Sequence, residues 1–170
     1  MAIKPKQKTP SLSFKLLDGT TWKLADQSPE NFTMIVFYRG LHCPICSNYL
    51  KDLDNKLGQF NQKGMDVVVV SSDTEERARQ SKKEWELENL DIGYGVSLDK
   101  AREWDLYISN GINEQEPDQF TEPGLFLIRP DQTLYAASIQ TMPFARPQFS
   151  EILGAMDFVL EHNYPARGEA

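Results

Sequence analysis

The chain has 170 residues, 40% of them hydrophobic and 25% charged, with a formal net charge of −7. That length builds one domain with a continuous core, while the acidic balance argues against a nucleic-acid or anionic-membrane binder, which needs a basic patch. No apolar run approaches the roughly 20 residues that cross a bilayer, and the opening MAIKPKQKTP has no apolar stretch of a secretory signal, so the expected location is cytoplasmic.

Residues 1–10 are polar, carry Pro5 and Pro10, and read as a flexible arm ahead of a single domain over 11–165, with 166–170 as a tail. SFKLLDGTTWKLAD predicts a hairpin: Asp18-Gly19 suits a tight turn, and Phe14, Leu16, Trp22 and Leu24 flank it. Phe32 to Tyr38, FTMIVFY, has the composition of a strand buried on both faces. From Pro44 the period becomes helical through Tyr49, Leu50, Leu53, Leu57 and Phe60, and Gly64 ends it. Asp66 to Val70 predicts the next buried strand. Ser72-Asp73-Thr74-Glu75 has the Ser-x-x-Glu form of a capping box ahead of a polar helix that runs through Trp85 to about Leu90.

A short strand is expected at Ile92 to Val96, one or two helical turns at Asp99 to Trp104, and a loop over 109–122. Gly124 to Arg129 and Leu134 to Ile139 predict a strand pair turned by Pro130-Asp131-Gln132-Thr133. A last helix carries Phe149, Ile152, Leu153, Met156, Val159 and Leu160 on one face. The order hairpin, β, α, β, α, β, loop, β-hairpin, α gives an α/β fold with a mixed central sheet flanked by helices and an N-terminal β-hairpin, which is the order of a thioredoxin-like fold.

The chain has two cysteines, and they stand together as Cys43-Pro44-Ile45-Cys46 between the FTMIVFY strand and a helix. In a reducing compartment a lasting structural disulfide is disfavoured, and one closing so short a loop would stabilise little. A helix N-terminus offers unpaired N–H groups and positive partial charge. Pro44 fits the first helical turn, where no N–H is needed, and Arg39 and His42 stand nearby to add positive charge. Such surroundings lower a thiol pKa, and the thiolate is the nucleophile. A second thiol one turn on can resolve a mixed disulfide within the molecule. The pair therefore reads as a dithiol–disulfide couple needing no organic cofactor. A zinc site would need four ligands, and only His42 and His162 remain to complete one, so no metal is expected. Two buried structural thiols are the remaining bland alternative.

FYRGLHCPIC, the order of elements and PGLFLIRPDQTLYAAS resemble the peroxiredoxin-like proteins of the alkyl hydroperoxide reductase and thiol-specific antioxidant group, over roughly residues 10 to 165. The resemblance implies an antioxidant-type thiol oxidoreductase that acts on a peroxide or a disulfide and is recharged by a thioredoxin- or glutathione-type reductant. Homodimers are common in that family. In peroxiredoxins a proline and a threonine stand seven and three residues before the attacking cysteine, and an arginine on a later strand completes the site. With Cys46 in the attacking place those positions hold Arg39, Cys43 and Pro123. In thioredoxins the first cysteine, matching Cys43, attacks, and a cis-proline matching Pro123 sits against the disulfide, so a cis bond is expected there. The topology brings the loop after Ile139 to the cysteine end of the sheet, where Met142, Phe144 and Arg146 are expected on the substrate rim and Arg146 in the place of the missing arginine. The competing reading outside catalysis is a non-catalytic thioredoxin-fold binding module.

Overall fold

A computed structural model describes residues 2–170. Among the described residues nine strands and four α-helices follow one another: β1 (Ser13–Leu16), β2 (Thr21–Lys23), β3 (Phe32–Phe37), α1 (Pro44–Gln62), β4 (Met65–Val70), α2 (Glu75–Glu84), β5 (Asp91–Tyr94), α3 (Leu98–Glu103), β6 (Ile108–Asn110), β7 (Gln119–Thr121), β8 (Gly124–Ile128), β9 (Leu134–Ile139) and α4 (Phe149–His162). Seven strands form one mixed sheet in the order β2-β1-β5-β4-β3-β8-β9. β3, β4 and β5 run parallel, while β8 is antiparallel to β3 and β9 to β8.

The period-2 alternation of the central strands divides the core into two layers. Phe32, Met34 and Val36 of β3 face one side with Val67 and Val69 of β4 and Leu125 and Leu127 of β8, and α1, α2 and α4 cover them through Leu50, Leu53, Ala78, Leu153 and Met156. Ile35, Phe37, Val68, Val70, Phe126 and Ile128 face the other side, under the β1–β2 hairpin, Ala101 of α3 and Trp104. Both cysteines belong to the first layer. The hairpin turns at Gly19, whose φ of +89° is open to glycine at no steric cost.

Three expectations change. Residues 109–122 are not a loop throughout: β6 and β7 pair as a two-stranded sheet, with Ile108 opposite Thr121 and Asn110 opposite Gln119. Strands of three residues are too short to print an alternation on the sequence. Residues 1–10 do not form a free arm over their described part, because Lys6 N–H donates to Leu134 O, Leu134 N–H to Gln7 O and Thr9 N–H to Gln132 O. Backbone pairing of this kind leaves no mark in composition. The tail is likewise held, with Ala166 buried and Glu169 ion-paired to Lys6.

Candidate active site

The parallel strands β3 and β4 end on one side of the sheet, and β8 begins and β9 ends there, since Phe37 pairs with Gly124 and Gly124 with Ile139. The carboxyl edge of parallel strands is where α/β folds hold their ligands. Four connections meet at this edge: 38–43 into α1, 71–74 into α2, 122–123 into β8, and 140–148 into α4.

Cys43 is the N-cap of α1, with extended φ/ψ of −109°/99°, and its sulfur accepts the N–H of Cys46 at 3.3 Å. Pro44 follows at the first helical position, where its missing N–H costs nothing. The turn that delivers Cys43 is tightly specified. Gly40 has φ +137°, and a Cβ there would lie 2.8 Å from both carboxylate oxygens of Asp73. That carboxylate, fully buried, accepts the N–H of Leu41 at 2.8 Å and Nε of Arg77 at 3.1 Å. The N–H of Cys43 returns to Gly40 O at 3.1 Å.

Arg146 comes in from the 140–148 loop. Its Nη2 lies 3.1 Å from the Cys46 sulfur and 3.7 Å from the Cys43 sulfur. Its guanidinium covers the ring of Tyr49 at 5.1 Å, and its Nε donates to Pro143 O at 2.9 Å. Arg39 takes the opposite side of the site. It is ion-paired to the buried Glu122 at 3.1 Å and lies over the Phe120 ring at 4.9 Å, while Ser109 donates to Glu122 at 2.6 Å. Burial works against the Arg39 charge, but Glu122 and the nearby Cys43 sulfur more than offset it, so its pKa rises.

The two thiols are driven apart. Cys43 is lowered to about 6, first by the hydrogen bond from the Cys46 side chain, then by the Cys46 N–H and Arg146, all against the cost of burial. Cys46 is pushed well up by burial and by the anionic neighbour it supports. One proton thus stays on the inner sulfur while the outer one is a thiolate at neutral pH. His42 does not supply the positive charge expected of it. Burial depresses its pKa, both ring nitrogens are buried without a partner among the described residues, and the ring packs edge-on against Phe120 at 4.4 Å.

Pro123 stands at the site end of β8, but its peptide bond is trans, because the described residues contain no cis bond. A proline immediately before a strand has no ladder N–H to give, so the trans form fits without strain. With Gly124, Ser138, Gln140 and Arg146, Pro123 lines a cavity of about 10 Å³, room for about one water molecule. Phe144 is 74% exposed and Met142 52% exposed, and Phe144 borders a groove of about 230 Å³ against Ile45, Asn48 and Tyr49 of α1. Sequence reasoning missed Tyr49, Asp73, Phe120 and Glu122 as parts of the site. The Ser-x-x-Glu reading around Asp73 did not hold, because Thr74 rather than Ser72 caps α2 and accepts the Arg77 N–H, and Glu122 sat in an apparent loop. Among the described residues no cluster of His, Cys, Asp and Glu could hold a metal, and no helix is long and apolar enough to cross a membrane.

The AhpC/TSA family model matches residues 5–137. Among solved structures, the chain is similar to peroxidoxin BcpB from Mycobacterium tuberculosis (TM-score 0.73, 11% identity, covering 92% of this chain and 98% of that one). It is also similar to AhpC from Enterococcus faecalis (TM-score 0.75, 16% identity, 98% and 99%) and to AhpC from Mycobacterium bovis (TM-score 0.76, 14% identity, 96% of each). At these identities the likeness shows the fold, a peroxiredoxin-type thioredoxin fold. No curated protein matches.

Proposed function

Because this chain belongs to the AhpC/TSA family and is a thiol-dependent oxidoreductase of the antioxidant type, we propose that it reduces a peroxide with Cys43 as the attacking sulfur and Cys46 as the resolving one. The observation that carries the assignment is the position of the Cys43 sulfur. It caps α1, receives the Cys46 N–H, and lies on the Arg146 guanidinium. A thiolate at such a place is both populated and nucleophilic.

The Cys43 thiolate attacks the terminal peroxide oxygen; an S–O bond forms, the O–O bond breaks, and the departing alkoxide takes a proton to leave as an alcohol, or as water from hydrogen peroxide. Cys43 is now a sulfenic acid. The Cys46 thiol attacks that sulfur, the S–S bond forms, and hydroxide leaves with the Cys46 proton as water. Two electrons and two protons from a reductant of the thioredoxin or glutathione type then restore the dithiol. Arg146 stabilises the thiolate in the ground state and stands in hydrogen-bond range of an oxygen arriving at either sulfur, the task that the absent later-strand arginine performs in peroxiredoxins. Arg39 and Glu122 keep the far wall charged and rigid, Phe120 and His42 close it, Pro44 starts the helix and Pro123 lines the floor.

The same outer thiolate is suited to attack a disulfide, and the residues in the usual peroxiredoxin helper positions, Arg39 and Pro123, favour keeping that second reading. One experiment addresses both. Pre-reduced protein is mixed with one equivalent of hydrogen peroxide by stopped flow, following tryptophan fluorescence and free thiol, in wild type, Cys43→Ser and Cys46→Ser. The expected outcome is loss of two thiols in wild type and a trapped sulfenic acid in Cys46→Ser alone. A sulfenic acid in Cys43→Ser instead would reverse the roles. A rate no faster than a small free thiol would remove the peroxidase reading and leave disulfide reduction, measured next with insulin.

A further inference from the structure

Both sulfurs are covered in the reduced molecule: Cys43 is 2% exposed and Cys46 0%. Part of the cover is the segment 141–147, and the way it is held is unusual. Among the described residues no backbone–backbone hydrogen bond joins it to the rest of the chain, and within it there is a single turn at Pro143–Phe144. The last such bond before it is Gln140 N–H to Pro123 O, and the next is Glu151 N–H to Gln148 O. Segments with few backbone bonds sit at the low end of local stability. Besides the burial of Pro143, what attaches this one is side-chain chemistry from two residues. Tyr49 of α1 donates its hydroxyl to Pro147 O at 2.7 Å and offers its ring face to Arg146. Arg146 ties the segment to itself through Pro143 O and to the site through both sulfurs. Among the described residues Arg146 has no carboxylate partner, in contrast to Arg39, which is paired with Glu122.

We propose that 141–147 is a strap latched by the reduced dithiol, with Arg146 as the latch and Tyr49 as the residue that positions it, and that forming the Cys43–Cys46 disulfide releases it. The proposal rests on the dithiol reading above. At neutral pH the reduced pair holds one thiolate and one thiol. Closing the disulfide removes two electrons, taken by the peroxide, and the one remaining proton, and leaves two neutral sulfurs. The anion that Arg146 faces is gone, and a guanidinium against uncharged sulfur in a buried place gains by returning to water. With the strap lifted, its wall of the groove leaves with Phe144, and the disulfide is open beside Ile45 and Tyr49 of α1. The strap therefore sorts reactants by redox state. The closed, reduced site takes a reactant the size of hydrogen peroxide, and the open, oxidised site takes a bulky thiol reductant.

Chymotrypsin cleavage after Phe144 in the full chain tests this, with the disulfide made by diamide so that the result does not depend on peroxidase activity. The disulfide form is expected to be cut at least about tenfold faster than the reduced form. Reduced Cys43→Ser, which lacks the thiolate, is expected to be cut at the rate of the wild-type disulfide. Reduced Tyr49→Phe, which keeps the ring and loses the Pro147 bond, is expected to fall between. Equal cleavage of wild-type reduced and disulfide forms overturns the strap, as does a Cys43→Ser rate equal to that of reduced wild type. A disulfide that forms with diamide but not with peroxide, yet still speeds cleavage, would uphold the strap while defeating the peroxidase reading.

Discussion

The guanidinium of Arg146 reaches both sulfurs from a loop about one hundred residues away in sequence. Its effect is readable as a titration. With Cys43 lowered to about 6, the thiolate is populated above that pH and the thiol below it. Iodoacetamide should therefore react with Cys43 at a rate that climbs through about pH 6 and is level by about pH 7.5. Removing a neighbouring positive charge raises a thiol pKa, by about 1 unit for a contact of this kind. Arg146→Ala should move the midpoint of the alkylation profile up by about that amount, so that the rate at pH 6 falls several-fold relative to the variant's own high-pH plateau, a plateau that the unlatched strap should raise above that of wild type. An unmoved midpoint would mean that the Cys46 side chain and the helix N-terminus set the acidity without Arg146. At this scale the sequence was legible where chemistry is local: Cys43, Pro44 and Cys46 are read from spacing. Glu122 and Tyr49 were not, because their roles come from what the fold brings opposite them.

The turn before α1 is held from a different element, and this is where the fold and the chemistry meet. Asp73, in the β4–α2 connection, accepts Leu41 N–H and Arg77 Nε while packing against Gly40. Asp73→Ala would leave the part-buried N–H of Leu41 without its partner, at a cost of about 1 kcal/mol. The expected outcome is a lower melting temperature together with a several-fold slower reaction of Cys43, since the turn no longer fixes the cap. Gly40→Ala should do the same more severely: a Cβ would need φ +137° and would press on the carboxylate. Thermal melts paired with alkylation rates would check both, and Asp73→Asn, which keeps an acceptor for Leu41, should recover part of the rate. The strands β3, β4, β8 and β9 and the helices α1 and α4 were written in the sequence as apolar runs and 3.6-residue periods. The pairing of β6 with β7 was not, because it buries little beyond Phe120 and Thr121.

Across the whole molecule, the sheet separates the layer that holds the cysteines from the layer under the hairpin and Trp104. That division makes stability and reactivity separable. Trp22 lies in the far layer, 7% exposed and stacked on Phe14 with centroids 4.8 Å apart. Trp22→Ala should cost about 3–5 kcal/mol through lost burial and the cavity left behind, which for a chain of this size lowers the melting temperature by roughly 6–20 °C. The surroundings of Cys43 are built from α1, the Asp73 connection, Glu122 and the 140–148 loop, none of which Trp22 helps to form. The folded variant should therefore keep its alkylation midpoint near pH 6 and its Phe144 cleavage ratio between redox forms. A midpoint displaced by more than about half a unit would show that the two layers are mechanically coupled through β3 and β8, the strands that carry side chains into both. The sequence alone could not distinguish these outcomes. It showed that those strands are apolar on both faces, but not which residues stand behind the sulfurs and which stand behind the hairpin.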